Sequence, residues 1–146
     1  SHLHGLAAPG GRLVFACWQP PQRNLWATLP LKALAHMLPE QPPADPLAPG
    51  PFAFDDAARV ATILETAGWR DVTCHSLPFA MQVGSGDDPV ADAVGFNLKM
   101  GPAARIVRDA DIGDAARPVL AQALVPYLAD GVVALPGAAW LVTARA

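Results

Sequence analysis

The chain has 146 residues, enough for one hydrophobic core, with 52% apolar residues, 16% charged residues and a formal net charge of −3. No basic stripe is present to neutralise a phosphate backbone, which argues against nucleic acid as a partner. Every apolar run is broken by Pro, Gly or charge short of the roughly 20 residues that span a bilayer, and no signal-peptide pattern is visible, so no membrane association is expected; two cysteines that read as free thiols fit a reducing cytoplasm.

The first residues read as the tail of a helix, with Leu3 and Leu6 running into Pro9-Gly10-Gly11 and no initiator Met. A domain seldom opens in mid-element, so the chain reads as a fragment. Arg12–Trp18 follows, apolar without alternation from Leu13 onward, the pattern of a strand covered on both faces. Pro20-Pro21 ends it. Residues 22–38 predict a short helix with Leu29, Leu31, Leu34, Ala35 and Leu38 near helical spacing. Between Pro39 and Pro51 six residues are proline, which predicts an extended surface loop over 39–51.

Asp55 or Asp56 then caps a helix whose stripe is Val60, Ile63, Leu64 and Ala67, closed by Gly68 in a left-handed position. A strand from about Asp71 to Phe79 alternates and carries Pro78 near its end, the pattern of a half-covered or edge strand. Gly84-Ser85-Gly86 reads as a flexible turn, and Asp87-Asp88-Pro89 as a helix start. Helical text runs to Met100, breaks at Gly101-Pro102 and resumes through Ile106 and Val107. A third helix is expected from about Asp114 to Ala129, with Pro118 in its first turn and Pro126 kinking its end. Residues 87–129 thus form a helical, cap-like insert. Ala138–Ala144 closes the chain as a short apolar strand. The helix between the first two strands makes a β-α-β unit and so predicts that they form a parallel pair; the direction of the last strand stays open.

The stretch Leu6-Ala-Ala-Pro-Gly-Gly-Arg-Leu-Val-Phe15 resembles the segment that leads into the fifth strand of class I S-adenosylmethionine-dependent methyltransferases of the small-molecule, UbiE-like type. Cys17-Trp18-Gln19, Asn24-Leu25-Trp26 and Gly50-Pro-Phe-Ala-Phe54 are similar to one subgroup of that superfamily. Ile63–Trp69 resembles the helix before its sixth strand, and Ala139–Arg145 its seventh strand. The resemblance covers nearly the whole chain.

It implies an α/β fold: a partial Rossmann-like sheet holding the equivalents of strands five, seven and six, with strand seven antiparallel and a helical insert before it. Residues 1–146 would be a single C-terminal portion of a methyltransferase domain. The Gly-rich loop and the ribose-binding carboxylate that hold S-adenosylmethionine in such folds would precede Ser1. Cofactor-binding residues are therefore expected to be absent here, and Gly84-x-Gly86 reads as a helix-capping turn. The implied partners are the missing N-terminal half and a small-molecule methyl acceptor.

By the same resemblance Trp18 and Gln19, at the carboxyl end of the first strand, edge the acceptor pocket, with Trp26 nearby. Phe96, Asn97 and Met100 of the insert face the acceptor. The plain readings are core packing for Trp18, Trp26, Phe96 and Met100, and a turn for Gln19. His36 and His75 lack companions at ligand spacing, and Cys17 and Cys74 read as free buried thiols, so no metal site is expected. Asp87-Asp88 and Asp109-Ala-Asp111 are explained by capping and turn chemistry. The function this implies is the acceptor-side part of a methyltransferase, inactive on its own. The alternative is a non-catalytic binding or dimerisation module of the same descent. In the strand order that the resemblance implies, a truncation before Ser1 would leave Arg12–Trp18 at an edge, and with no Lys or proline from Leu13 to Trp18 this predicts a homodimer through Arg12–Trp18.

Overall fold

A computed structural model of the chain describes residues 2–39 and 49–146. In chain order the elements are α1 (His2–Leu6), β1 (Arg12–Trp18), a 3-10 turn (Pro21–Arg23), α2 (Leu25–Ala33), α3 (Ala57–Thr66), β2 (Arg70–Gly84), α4 (Pro89–Lys99), α5 (Pro102–Asp109), α6 (Gly113–Leu124), a second 3-10 turn (Val125–Tyr127), β3 (Leu128–Ala129) and β4 (Val132–Arg145). The chain is α/β, with a small antiparallel sheet of order β1-β4-β2 and β3 added against β4. Its residues gather into two compact units. One takes 2–21, 49–78 and 138–146 of the described residues; the other takes 22–39 and 79–137.

In the first unit β1 and β4 pair antiparallel, from Arg12 opposite Arg145 to Trp18 opposite Ala139. Across β4 from β1, the Thr143 and Thr73 hydroxyls meet at 2.8 Å, and Arg145 Nε lies 3.8 Å from the Asp71 carboxylate. The descending and ascending numbers make β4 antiparallel to β2 as well. β1 and β2 therefore point the same way, but they do not form the parallel pair that the β-α-β pattern predicts, because β4 lies between them. The crossover through α3 skips one strand position, and the end of the chain returns to fill it.

β1 differs from its sequence reading. Leu13 and Phe15 face α3 across an apolar cavity of about 500 Å3, whereas Val14 on the other face is 54% exposed, so the run is not covered on both faces. β1 also ends the strand path, with β4 on one side and no described strand on the other.

α3 is the best-defined local structure. Asp56 is its N-cap, its Oδ1 accepting from the backbone N–H of Ala58 (2.8 Å) and Arg59 (3.3 Å). Its C-terminus is a Schellman motif: Gly68 N–H donates to Glu65 O and Trp69 N–H to Leu64 O, each at 3.0 Å, with Gly68 at φ 99°. Trp69 is buried, and the His4 ring packs edge-on against it at 5.2 Å. The segment entering α3 is tied to all three strands. Cys17 Sγ of β1 donates to Phe54 O (3.3 Å), Trp140 Nε1 of β4 to Asp55 O (2.7 Å), and Cys74 Sγ of β2 reaches Ala57 O (3.9 Å).

The second unit is mainly helical, with α2, α4, α5 and α6 packed on one another. Buried Ala93, Ala103, Ala104 and Ala116 allow close approach, and Leu34, Leu120 and Leu124 fill the core. The break between α4 and α5 falls at Gly101-Pro102, as the sequence predicts, with Gly101 at φ 89°.

Several boundaries differ from the sequence reading. The helix predicted over 22–38 is α2, limited to Leu25–Ala33, with turns after it. β2 continues through Pro78 to Gly84, which its edge position permits because the missing N–H needs no ladder partner. α6 starts at Gly113, so Pro118 lies inside the helix and not in its first turn. The helix expected to reach Ala129 ends at Leu124. Asp130 (φ 49°) and Gly131 (φ 76°) then make a two-residue hairpin turn joining β3 to β4, and β4 starts at Val132 instead of Ala138. Of the proline-rich segment 39–51, residues 40–48 lie outside the described residues. Among the described residues no helix is long and apolar enough to cross a membrane.

Candidate functional site: a cleft along α4

The second unit brings the end of β2 against the first turns of α4. Asp88 caps α4, its Oδ1 accepting from Ala91 N–H at 2.9 Å, with Pro89 at the first helical position. Gly84 makes the approach: a Cβ there would run into Pro89 O and lie 2.7 Å from both the backbone nitrogen and the Cβ of Ala93. The next residue, Ser85, donates its N–H to Asp92 Oδ2 at 3.0 Å. What reads in sequence as a flexible turn is thus a fixed seam at Gly84 and Ser85; Gly86, at φ 84°, makes the turn itself.

Along this seam opens a cleft of about 370 Å3, walled by Gln82–Ser85 and by one face of α4. Asp92, Gly95, Phe96, Lys99 and Met100 form that face, at spacings i, i+3, i+4, i+7 and i+8. Phe96 is half-buried and Met100 is 59% exposed. A carboxylate at one end, an ammonium at the other and an aromatic ring with a thioether between them can hold a small molecule with an apolar body and polar ends. Among the described residues Lys99 makes no ion pair, and no group of three His, Cys, Asp or Glu is placed to hold a metal.

Of the residues singled out in sequence, Phe96 and Met100 line this cleft. Asn97, between them in the chain, is 1% exposed and lies beneath it. Its Nδ2 donates to Ala93 O (2.8 Å), and its Oδ1 meets no donor among the described residues. Trp26 is buried in the same unit, its Nε1 donating to Asn24 Oδ1 at 3.1 Å and its ring 3.4 Å from where a Gly101 Cβ would sit. Trp18 and Gln19 belong to the other unit. Trp18 is half-buried. Gln19 is 2% exposed and ties two strands together, its Nε2 donating to Ser76 Oγ of β2 (2.7 Å) and to Ala139 O of β4 (2.8 Å). Sequence reasoning missed Asp92, Gly95 and Lys99. The available signal was Gly95 itself, a glycine in the middle of a helix.

The Gly84-Ser85-Gly86 turn does not fit an S-adenosylmethionine-receiving loop. Gly84-Ser85-Gly86 is the one glycine pair ahead of a helix, yet Gly84 is packed on α4 and the Ser85 N–H is taken by a carboxylate that would repel the cofactor's own. Cys17 and Cys74 are free thiols, and burial first of all pushes both above the ordinary thiol pKa; for Cys17 the nearby Cys74 and Asp55 add to it. Such thiols are poor nucleophiles and serve as weak donors to the 54–57 segment. Comparison with known protein families finds no match, and comparison with curated proteins finds none either.

Proposed function

We propose that the chain is the C-terminal, acceptor-side part of a cytoplasmic S-adenosylmethionine-dependent methyltransferase with a Rossmann-like sheet. The observation that supports this most is the strand order β1-β4-β2 with β4 antiparallel in the middle. Consecutive strands usually pair or neighbour one another. Here the two joined through α3 stand apart, and the last strand of the chain lies between them. That is the arrangement the resemblance implies for strands five, seven and six.

On this reading the other half of the domain carries the cofactor and adds its strand along the open side of β1. The share of this chain is positioning. The cleft along α4 grips the methyl acceptor and fixes its orientation, which is where much of the barrier lowering in a direct group transfer originates. The open edge of β1 also favours a second reading, a non-catalytic module that pairs with itself. The two separate in one experiment. The protein extended by the coding sequence upstream of Ser1 is incubated with methyl-tritiated S-adenosylmethionine and a small-molecule extract. Label appearing in the small-molecule fraction supports the methyltransferase; no label and no cofactor binding leaves the module.

A further inference from the structure

Gly95 occupies the middle of α4, where glycine is the least favourable residue after proline, costing a helix roughly as much as a lost cap relative to alanine. Packing does not require it: a Cβ there would meet no atom within 4 Å. It has ordinary helical backbone, so no left-handed conformation requires it either. What its missing side chain does provide is the floor of the cleft, between Asp92 and Phe96 on one face of the helix.

We propose that this cleft binds a planar aromatic small molecule bearing an anionic group, its ring lying on the bare backbone at Gly95 against Phe96. The anion meets Lys99. Met100, one turn beyond Phe96, offers its thioether to the ring edge. At the other end Asp92 has Oδ2 engaged by the Ser85 N–H, and Oδ1 is left to accept from a hydroxyl or amino donor on the ligand. As the methyl acceptor this ligand class rests on the methyltransferase reading; as a binding site it does not.

The experiment is titration of 4-hydroxybenzoate into the 15N-labelled chain, with cyclohexanecarboxylate and phenol as probes lacking the ring face and the anion. The expected result is saturable shifts of the Gly95, Phe96 and Lys99 amides with 4-hydroxybenzoate, and binding at least about tenfold weaker for each control. Two variants sharpen it. Gly95→Ala is expected to raise the melting temperature by about 3 °C, because the helix gains and nothing is displaced, while binding falls tenfold or more. Lys99→Gln is expected to weaken 4-hydroxybenzoate but not phenol. Shifts centred elsewhere, equal binding of all three probes, or full affinity in Gly95→Ala overturns the site. The methyl-transfer assay on the extended protein fails or succeeds separately, since the titration requires no cofactor.

Discussion

At Gly68 a single residue decides whether α3 can end. Its φ of 99° strains any other residue, and a Cβ there would lie 3.0 Å from the His4 ring, which would have to shift by a few tenths of an ångström. Gly68→Ala is expected to destabilise the chain by about 1–2 kcal/mol in urea unfolding, the cost of a left-handed L-residue. The same substitution at Gly95 is expected to do the opposite, which separates a glycine the backbone needs from one the cleft needs. The two thiols give a pH dependence. Their pKa values are raised on folding, so the stability linked to them is complete below the ordinary thiol value of about 8.5 and is lost as pH climbs through the raised values. Unfolding free energy is therefore expected to decline above that pH, and to decline less in Cys17→Ser/Cys74→Ser. A profile unchanged by the double substitution contradicts the assignment.

Elements announced by local chemistry were legible in the sequence; those made by distant contacts were not. Asp56 and Gly68 bracket α3, Asp88-Pro89 opens α4, and Gly101-Pro102 separates α4 from α5, all as the caps and breakers predict. Asp56→Ala removes two bonds to the first turn of α3 and is expected to cost about 1 kcal/mol; no change in the unfolding midpoint would show that water caps the helix equally well. The β3–β4 hairpin was missed because apolar text up to Ala129 reads as helix, although Asp130-Gly131 is a strong turn signal. β2 looked shorter than it is because Pro78 normally ends a strand, and only its place at the end of the path makes the proline tolerable. For the site, Phe96 and Met100 were visible as residue types, but the cleft was not. It depends on Gly84 meeting α4, and no periodicity within one element encodes that approach.

Across the whole molecule the open side of β1 has the clearest consequence. Arg12–Trp18 has β4 on one side only, and nothing from Leu13 to Trp18 carries the charge or proline that blunts an edge. The 146-residue chain on its own is expected to sediment as a dimer at tens of micromolar, with β1 pairing across a two-fold axis. A clean monomer contradicts this, and a dimer unaffected by Val14→Lys relocates the interface. On the proposed methyltransferase reading a preceding strand would fill the same edge, and the dimer is expected to vanish in a protein extended by that strand. The proposed function, in which this chain supplies the acceptor side and a preceding half would supply the cofactor side, is tested most directly by calorimetric titration of S-adenosylmethionine into two proteins: the 146-residue chain and the chain extended by its upstream coding sequence. The account predicts no measurable binding to the first and binding to the second. A low-micromolar dissociation constant for the 146-residue chain, or none for the extended protein, contradicts it.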